Sequence, residues 1–216
     1  MNKIAAIITN GNLDLLEQNK KQIMETDFIV CVDGAASILT RWNIQPHVLL
    51  GDLDSINLAA RRSMEQMGVP IQQHPVEKDQ TDTELALHYC TKKGFSKVLL
   101  FGALGSRLDH SLANVLLCLA AQKLGLQLTI FTDTGWARLV GTHLSIQGEP
   151  GDLLSLLPLS ECVSGVTLDG MKYPLDNASI HLGTTRGISN ELSGNCASVS
   201  VTSGDLLAIF TRQAHA

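Results

Sequence analysis

The stretch DFIVCVDGAASILTRWNIQPHVLLGDLDS (residues 27–55) decides the fold. DFIVCV is an apolar, β-branched run of strand length, AASILTRW has helical spacing, and HVLL is a second strand-like run, so the stretch reads strand, helix, strand. Each strand hands over to aspartates. Asp33 opens Asp33-Gly34-Ala35-Ala36, and Asp52 and Asp54 sit in Gly51-Asp52-Leu53-Asp54-Ser55. Repeated units of this kind build parallel sheets, whose ligands bind beyond the C-terminal strand ends.

The same grammar extends in both directions. KIAAII (3–8) and a helical pattern over 13–26 come before; helical patterns over 56–68, 82–94 and 109–125 alternate afterwards with strand-like runs at 69–74, 97–101 and 126–131. The expectation is an α/β fold with an N-terminal doubly wound, mostly parallel sheet. Near Thr132 the character changes. Beyond it come only short strand-like runs split by turn residues, with Gly-Glu-Pro-Gly (148–151) as the strongest break. That half reads as a smaller C-terminal all-β sandwich, giving domains of 1–133 and 134–216.

Composition narrows the class. Of 216 residues 44% are hydrophobic and 17% charged, a globular balance. Acidic residues outnumber basic ones by 21 to 16, a net charge of −5, which argues against a nucleic-acid partner. The N-terminal apolar run is too short for a signal segment, no run reaches membrane-spanning length, and five scattered cysteines lack a Cys-x-x-Cys pair. A cytoplasmic protein with reduced thiols and no membrane partner is expected. The histidines show no ligand spacing, and no serine or cysteine nucleophile motif is present.

The candidate chemistry is acidic. Asp79 and Asp82, in Lys78-Asp79-Gln80-Thr81-Asp82, follow the strand at 69–74, so three successive strand ends carry five aspartates. Any one of them is equally well a helix cap or turn residue. Asp52 and Asp54 together are harder to explain that way, because like charges two residues apart repel unless a cation or several donors lie between them. Carboxylate oxygens are hard ligands suited to Mg²⁺ that also holds phosphates. A second constellation, Gly102-Ala103-Leu104-Gly105-Ser106-Arg107-Leu108-Asp109-His110, combines a glycine-bearing strand end with a helix start, a place where backbone amides meet anions. Arg107 suits a polyphosphate and His110 a phosphate oxygen, although Arg107 also reads as a surface residue, Asp109 as a cap and His110 equally as a solvent-facing helix position. Asn10-Gly11, after the first strand, is either a further nucleotide contact or an ordinary turn. In the second half the polar run Gly183–Glu191 is either a binding loop or a plain connection.

Taken together, DGAA, GDLDS, KDQTD, GALGSRLDH and GTTRGISNEL resemble thiamine pyrophosphokinase in its bacterial form, in the family's order and across the whole chain. The resemblance implies Mg²⁺-dependent transfer of the diphosphoryl group of ATP to the hydroxyl of thiamine, giving thiamine diphosphate and AMP. It implies an ATP- and Mg²⁺-binding catalytic domain followed by a thiamine-binding sandwich, and a homodimer with the active site at the subunit interface. By motif, Asp52, Asp54, Asp79 and Asp82 would hold metal, and Asp33, Asp52, Asp54 and Asp82 would be catalytic. Asn10, Gly11, Asp33, Gly34, Gly102, Arg107, Asp109 and His110 would meet ATP, and Arg186, Ser189 and Asn190 thiamine. Trp42 or Trp136 would either stack on the thiazolium ring or belong to the core. The alternatives are another ATP-dependent phosphotransferase or nucleotidyltransferase, and a non-catalytic nucleotide-sensing module.

Overall fold

A computed structural model describes residues 3–13, 17–75 and 79–214. Residues 14–16 of the helical pattern at 13–26, Lys78 of the KDQTD motif and His215 lie outside the described residues. The chain divides into two compact units, Met1–Asp133 and Thr134–Ala216.

In the first unit, strands β1 (Ile4–Ile8), β2 (Phe28–Val32), β3 (Val48–Gly51), β4 (Ile71–Gln73), β5 (Lys97–Phe101) and β6 (Gln127–Phe131) alternate with helices α1 (Glu17–Met24), α2 (Ala36–Trp42), α3 (Leu58–Gln66), α4 (Asp82–Lys92) and α5 (Leu108–Lys123). The strands pair in parallel in the order β4-β3-β2-β1-β5-β6. The sheet is therefore doubly wound. The chain moves outward from β1 to β4, then returns to lay β5 on the other side of β1, and this reversal makes a topological switch point between β1 and β5. The run at 69–74 contributes only three strand residues, because Pro70 has no N–H to give the ladder and pairing begins at Ile71 against Leu49. Ile8, Leu39, Leu49, Met64 and Phe101 form the buried core on one face of the sheet, with Trp42 packed against it. Phe101 stacks on Phe131 at 5.0 Å.

The second unit is all β. Strands β7 (Gly135–Leu139), β8 (His143–Gln147), β9 (Leu153–Pro158), β10 (Cys162–Asp169), β11 (Leu175–His181), β12 (Asn190–Glu191), β13 (Cys196–Ser200) and β14 (Leu206–Thr211) make two antiparallel layers, β12-β9-β14-β7 and β11-β10-β13-β8. Buried residues alternate along β8 and β9, as expected for strands with one face on a core. Leu144, Ile146, Leu154, Leu156, Val199 and Phe210 meet between the layers. Trp136 belongs to this packing, stacked on Phe210 at 5.5 Å with Arg138 over its ring. The architecture is the α/β half followed by a sandwich that the strand and helix patterns predict.

Leu50 is fully buried next to the end of β3. Leu50→Ala should cost about 2–5 kcal/mol of unfolding free energy, read as a lower urea midpoint at unchanged slope. Leu58→Ala, at a side chain 73% exposed, should stay within about 0.5 kcal/mol of wild type in the same titration.

Candidate active site

The loops that follow β1 and β5 meet at the switch point and are fastened to each other. The amides of Thr9, Gly11 and Asn12 donate to the carbonyls of Phe101 (2.9 Å), Gly102 (2.9 Å) and Leu104 (2.6 Å). The buried Thr9 hydroxyl adds bonds to the carbonyls of Phe101 and Gly102. Gly102 has φ +69°, and a Cβ there would collide with the Thr9 carbonyl, so only glycine allows the loops to approach this closely. Helix α5 braces the second loop from beneath. Ser111 Oγ accepts from the Gly105 amide and donates to the Arg107 carbonyl, while Asn114 Nδ2 donates to the Ala103 carbonyl at 2.7 Å.

These loops border a cleft of about 450 Å³. Thr9, Asn10, Gly11, Gly102, Arg107, His110 and Asn114 line it from the β1 and β5 side, and Asp33, Ser55, Gln80, Thr81 and Asp82 from the other. Arg107 is held by Asp109 through a two-point pair, Nε to Oδ1 at 3.2 Å and Nη2 to Oδ2 at 2.7 Å. That pair, helped by the His110 amide, pulls the Asp109 carboxyl down to about 2. Asp109 itself is not in the cleft lining; it orients the guanidinium that is. Gly34 is buried, with the Asn10 side-chain amide packed directly over its Cα. Asn114 stands outside the motifs, and its signal in the sequence is a lone amide inside an apolar helix run, Leu112–Leu117.

Three carboxylates converge beside the cleft; Asp33 and Asp82 line it and Asp52 stands behind them. Asp33 follows β2, Asp52 follows β3, and Asp82 is the first residue of α4; each offers an oxygen, and the three oxygens lie within 4.8 Å of one another. Parallel pairing of Val32 with Leu50 brings the first two side by side. Asp33 has φ +43° and accepts the Leu53 amide at 3.1 Å. A Cβ on Gly51 would land on the Asp33 carboxylate, so the β3 backbone passes at a distance that only glycine permits. Asp82 lies in the first turn of α4, where free amides favour negative charge; Thr81 is the N-cap, accepting the Glu84 amide at 3.3 Å. Burial pushes the Asp33 carboxyl up to about 7; the Leu53 amide opposes this, and the charges of Asp82 and Asp52 add to it. Asp54 is exposed and outside the group of three; its amide donates to Asp52 Oδ1 at 3.1 Å, and the neighbouring Asp52 carboxylate raises its carboxyl. Asp79 is exposed and belongs neither to this group nor to the cleft lining. Three hard oxygens that repel one another fit a divalent cation, which removes the repulsion.

In the second unit the run Gly183–Glu191 is a turn-rich loop ending in β12. Arg186 and Ser189 are exposed, Ser189 at φ +54° with its amide on Ser155 Oγ. Asn190 is buried and largely committed. Its Oδ1 accepts the amides of Tyr173 and Glu191, and its Nδ2 donates to the Tyr173 carbonyl, leaving one amide proton for any ligand.

Sheet topology and carboxylate placement define a doubly wound α/β unit with a carboxylate cluster beyond its strand ends, followed in the chain by a β-sandwich unit. Residues 19–130 match the model of the thiamin pyrophosphokinase catalytic domain, and residues 142–206 that of the thiamin pyrophosphokinase vitamin B1 binding domain. The chain is 31% identical to the thiamine pyrophosphokinase of Bacillus subtilis, over 96% of this chain and 98% of that one. A crystal structure of the Bacillus subtilis enzyme superposes with a TM-score of 0.89 at 30% identity, covering 98% of this chain and all of that one. The thiamin pyrophosphokinase of Geobacillus thermodenitrificans gives 0.85 at 29% identity, covering 98% of each chain. The chain belongs to the thiamine pyrophosphokinase family.

Because the folded state holds the Asp33 proton more tightly than the unfolded chain, this group's contribution to stability falls as pH rises from about 4 to about 7. Asp33→Asn removes the charge, and asparagine tolerates a positive φ. In EDTA the variant should therefore melt above wild type at pH 8, with the gap closing near pH 4.5. Scanning fluorimetry across that range checks it; a variant that melts below wild type at pH 8 contradicts the assignment.

Proposed function

We propose that the protein is a thiamine pyrophosphokinase that transfers the diphosphoryl group of ATP to the hydroxyl of thiamine, yielding thiamine diphosphate and AMP. The observation that carries this is the convergence of Asp33, Asp52 and Asp82 at the edge of a cleft on the switch point of the sheet. Diphosphoryl transfer asks a protein for positioning and charge neutralisation more than for covalent help.

In this reaction the thiamine oxygen bonds to the β-phosphorus of ATP, the bond from that phosphorus to the bridging oxygen breaks, and AMP leaves with that oxygen. The fastened loops after β1 and β5 supply the nucleotide wall, with backbone amides near the start of α5 and Arg107 opposing phosphate charge. Asp52 and Asp82 would hold Mg²⁺, with Asp54 and Asp79 at the periphery. When bound, Mg²⁺ supplies charge neutralisation on the phosphate oxygens. Asp33, half-buried and with raised proton affinity, accepts the proton of the thiamine hydroxyl at a carboxylate oxygen. The 134–216 unit takes thiamine through the exposed Arg186 and Ser189 and the remaining amide proton of Asn190. The same reading extends, on the family resemblance, to a cytoplasmic homodimer with thiamine bound between subunits.

³¹P NMR of the purified protein with ATP, Mg²⁺ and thiamine should show AMP and thiamine diphosphate appearing together, and neither without thiamine. ADP or free diphosphate would move the enzyme to another transferase class, and intact ATP that still binds would favour a nucleotide sensor. Asp52→Asn should lose at least 100-fold in kcat, an order of magnitude drawn from the charge-stabilisation scale, and recover part of it in Mn²⁺ or higher Mg²⁺. Asp33→Asn should not recover. Equal rescue of both variants would remove the base role from Asp33.

A further inference from the structure

Helix α4 opens with Thr81-Asp82-Thr83-Glu84, the spacing of a capping box, in which the fourth residue normally reaches back to the amide of the first. Half of that box forms here, since Thr81 Oγ1 accepts the Glu84 amide. The Glu84 carboxylate is used differently. Its Oε1 takes the side-chain amide of Gln80, with Nε2 at 3.0 Å, and lies 3.9 Å from His88 Nε2 one turn further on. Gln80 is half-buried and lines the cleft beside Asp82, whereas Glu84 is not in the lining.

The chemistry of this contact fixes the direction of the amide. A glutamine can turn its nitrogen or its oxygen toward a neighbour, and in solution both are open to it. A carboxylate only accepts, so the amide nitrogen must face Glu84 and the reversed orientation would set two acceptor oxygens against each other. The carbonyl oxygen at the other corner of the amide plane takes no hydrogen bond among the described residues. Gln80 is thereby made an acceptor on the cleft wall that also carries Asp33 and Asp82.

We propose that Glu84 is a positioning residue: it locks the Gln80 amide so that its carbonyl oxygen accepts a hydrogen bond from a hydroxyl or N–H of a bound substrate. The proposal rests on the cleft being the substrate site of the transferase proposed above. Glu84 itself touches neither substrate nor the reacting atoms. Its effect passes through Gln80, and that makes the two residues energetically one unit.

The test is a double-mutant cycle on the full-length protein with Gln80→Ala, Glu84→Ala and the double variant. Glu84→Gln is the same-shape control, able to accept as before but no longer forcing the direction. Steady-state kinetics are measured with each substrate varied in turn, alongside melting temperatures. Each alanine variant should lose about five- to tenfold in kcat/KM, the loss residing in KM for one substrate, which identifies the one carrying the donor. The double variant should be no worse than Gln80→Ala alone, and Glu84→Gln should lose less than Glu84→Ala at an unchanged melting temperature. Additive losses overturn the proposal, as does wild-type kcat/KM in Glu84→Ala, or an equal fall for both substrates that tracks a lower melting temperature. An independent readout separates failure here from failure of the transferase assignment. In ¹⁵N NMR of the substrate-free protein, the Gln80 side-chain amide pair, identified by its loss in Gln80→Ala, should shift in Glu84→Ala. If it does not move, Glu84 does not hold Gln80, whatever reaction the enzyme performs.

Discussion

Like charges do not gather unaided, and the mutual repulsion of Asp33, Asp52 and Asp82 is the constraint around which the first unit is organised. Three carboxylate oxygens within 4.8 Å of one another oppose the fold wherever all three are ionised. What brings them together is apolar. The buried strands β1, β2, β3 and β5 and the side chains beneath them fix the ends of β2 and β3 side by side, and α4 brings its first turn to the same place. The hydrophobic core thus stabilises an arrangement that its polar groups alone would scatter. A divalent cation suits such a site chemically, since it replaces repulsion by attraction without moving the backbone.

The opposite wall is built on different terms. Bonds between the β1 and β5 loops, with Ser111 and Asn114 bracing from α5, satisfy backbone groups that a loose loop would leave to solvent. The cleft therefore has one side set by charge and one set by backbone hydrogen bonding. A charged ligand is served by both: a place for its counter-ions and a wall that does not rearrange when it arrives. Arg107 adds a positive charge to the second side, because its partner Asp109 holds the guanidinium in position while leaving it at the cleft edge.

Much of the fold was legible because period carries through to structure. Runs such as DFIVCV and KVLLF became buried parallel strands, and the change of rhythm near Thr132 corresponds to a change from mixed to all-β structure. Pro70 shortened one strand for a reason visible in the sequence. The site was legible only in outline. Aspartates at three strand ends can be read off directly, but which of their oxygens converge depends on backbone angles at Asp33 (φ +43°) and Leu53 (φ +68°), and no residue pattern encodes those. Asp52 and Asp54 illustrate the difficulty: two residues apart in a turn, they have no strand alternation to fix where each points. The Gln80–Glu84 contact is an i, i+4 pair that spacing alone would offer as one possibility among many. The commitment of the Asn190 amide to Tyr173 depends on a backbone segment 17 residues away in sequence, and nothing local announces it.

Gly51 has no functional group, is not among the residues that line the cleft, and would not be named in any account of the chemistry. Yet a Cβ at this position would collide with the Asp33 carboxylate. In a mutational scan scored by growth, this position should be as intolerant as the aspartates themselves, and alanine, ordinarily the mildest replacement, should offer no relief. Intolerance of substitution and participation in chemistry are therefore separate properties in this enzyme, and a map of one drawn by measuring the other would place an extra catalytic residue where there is only an absence of atoms.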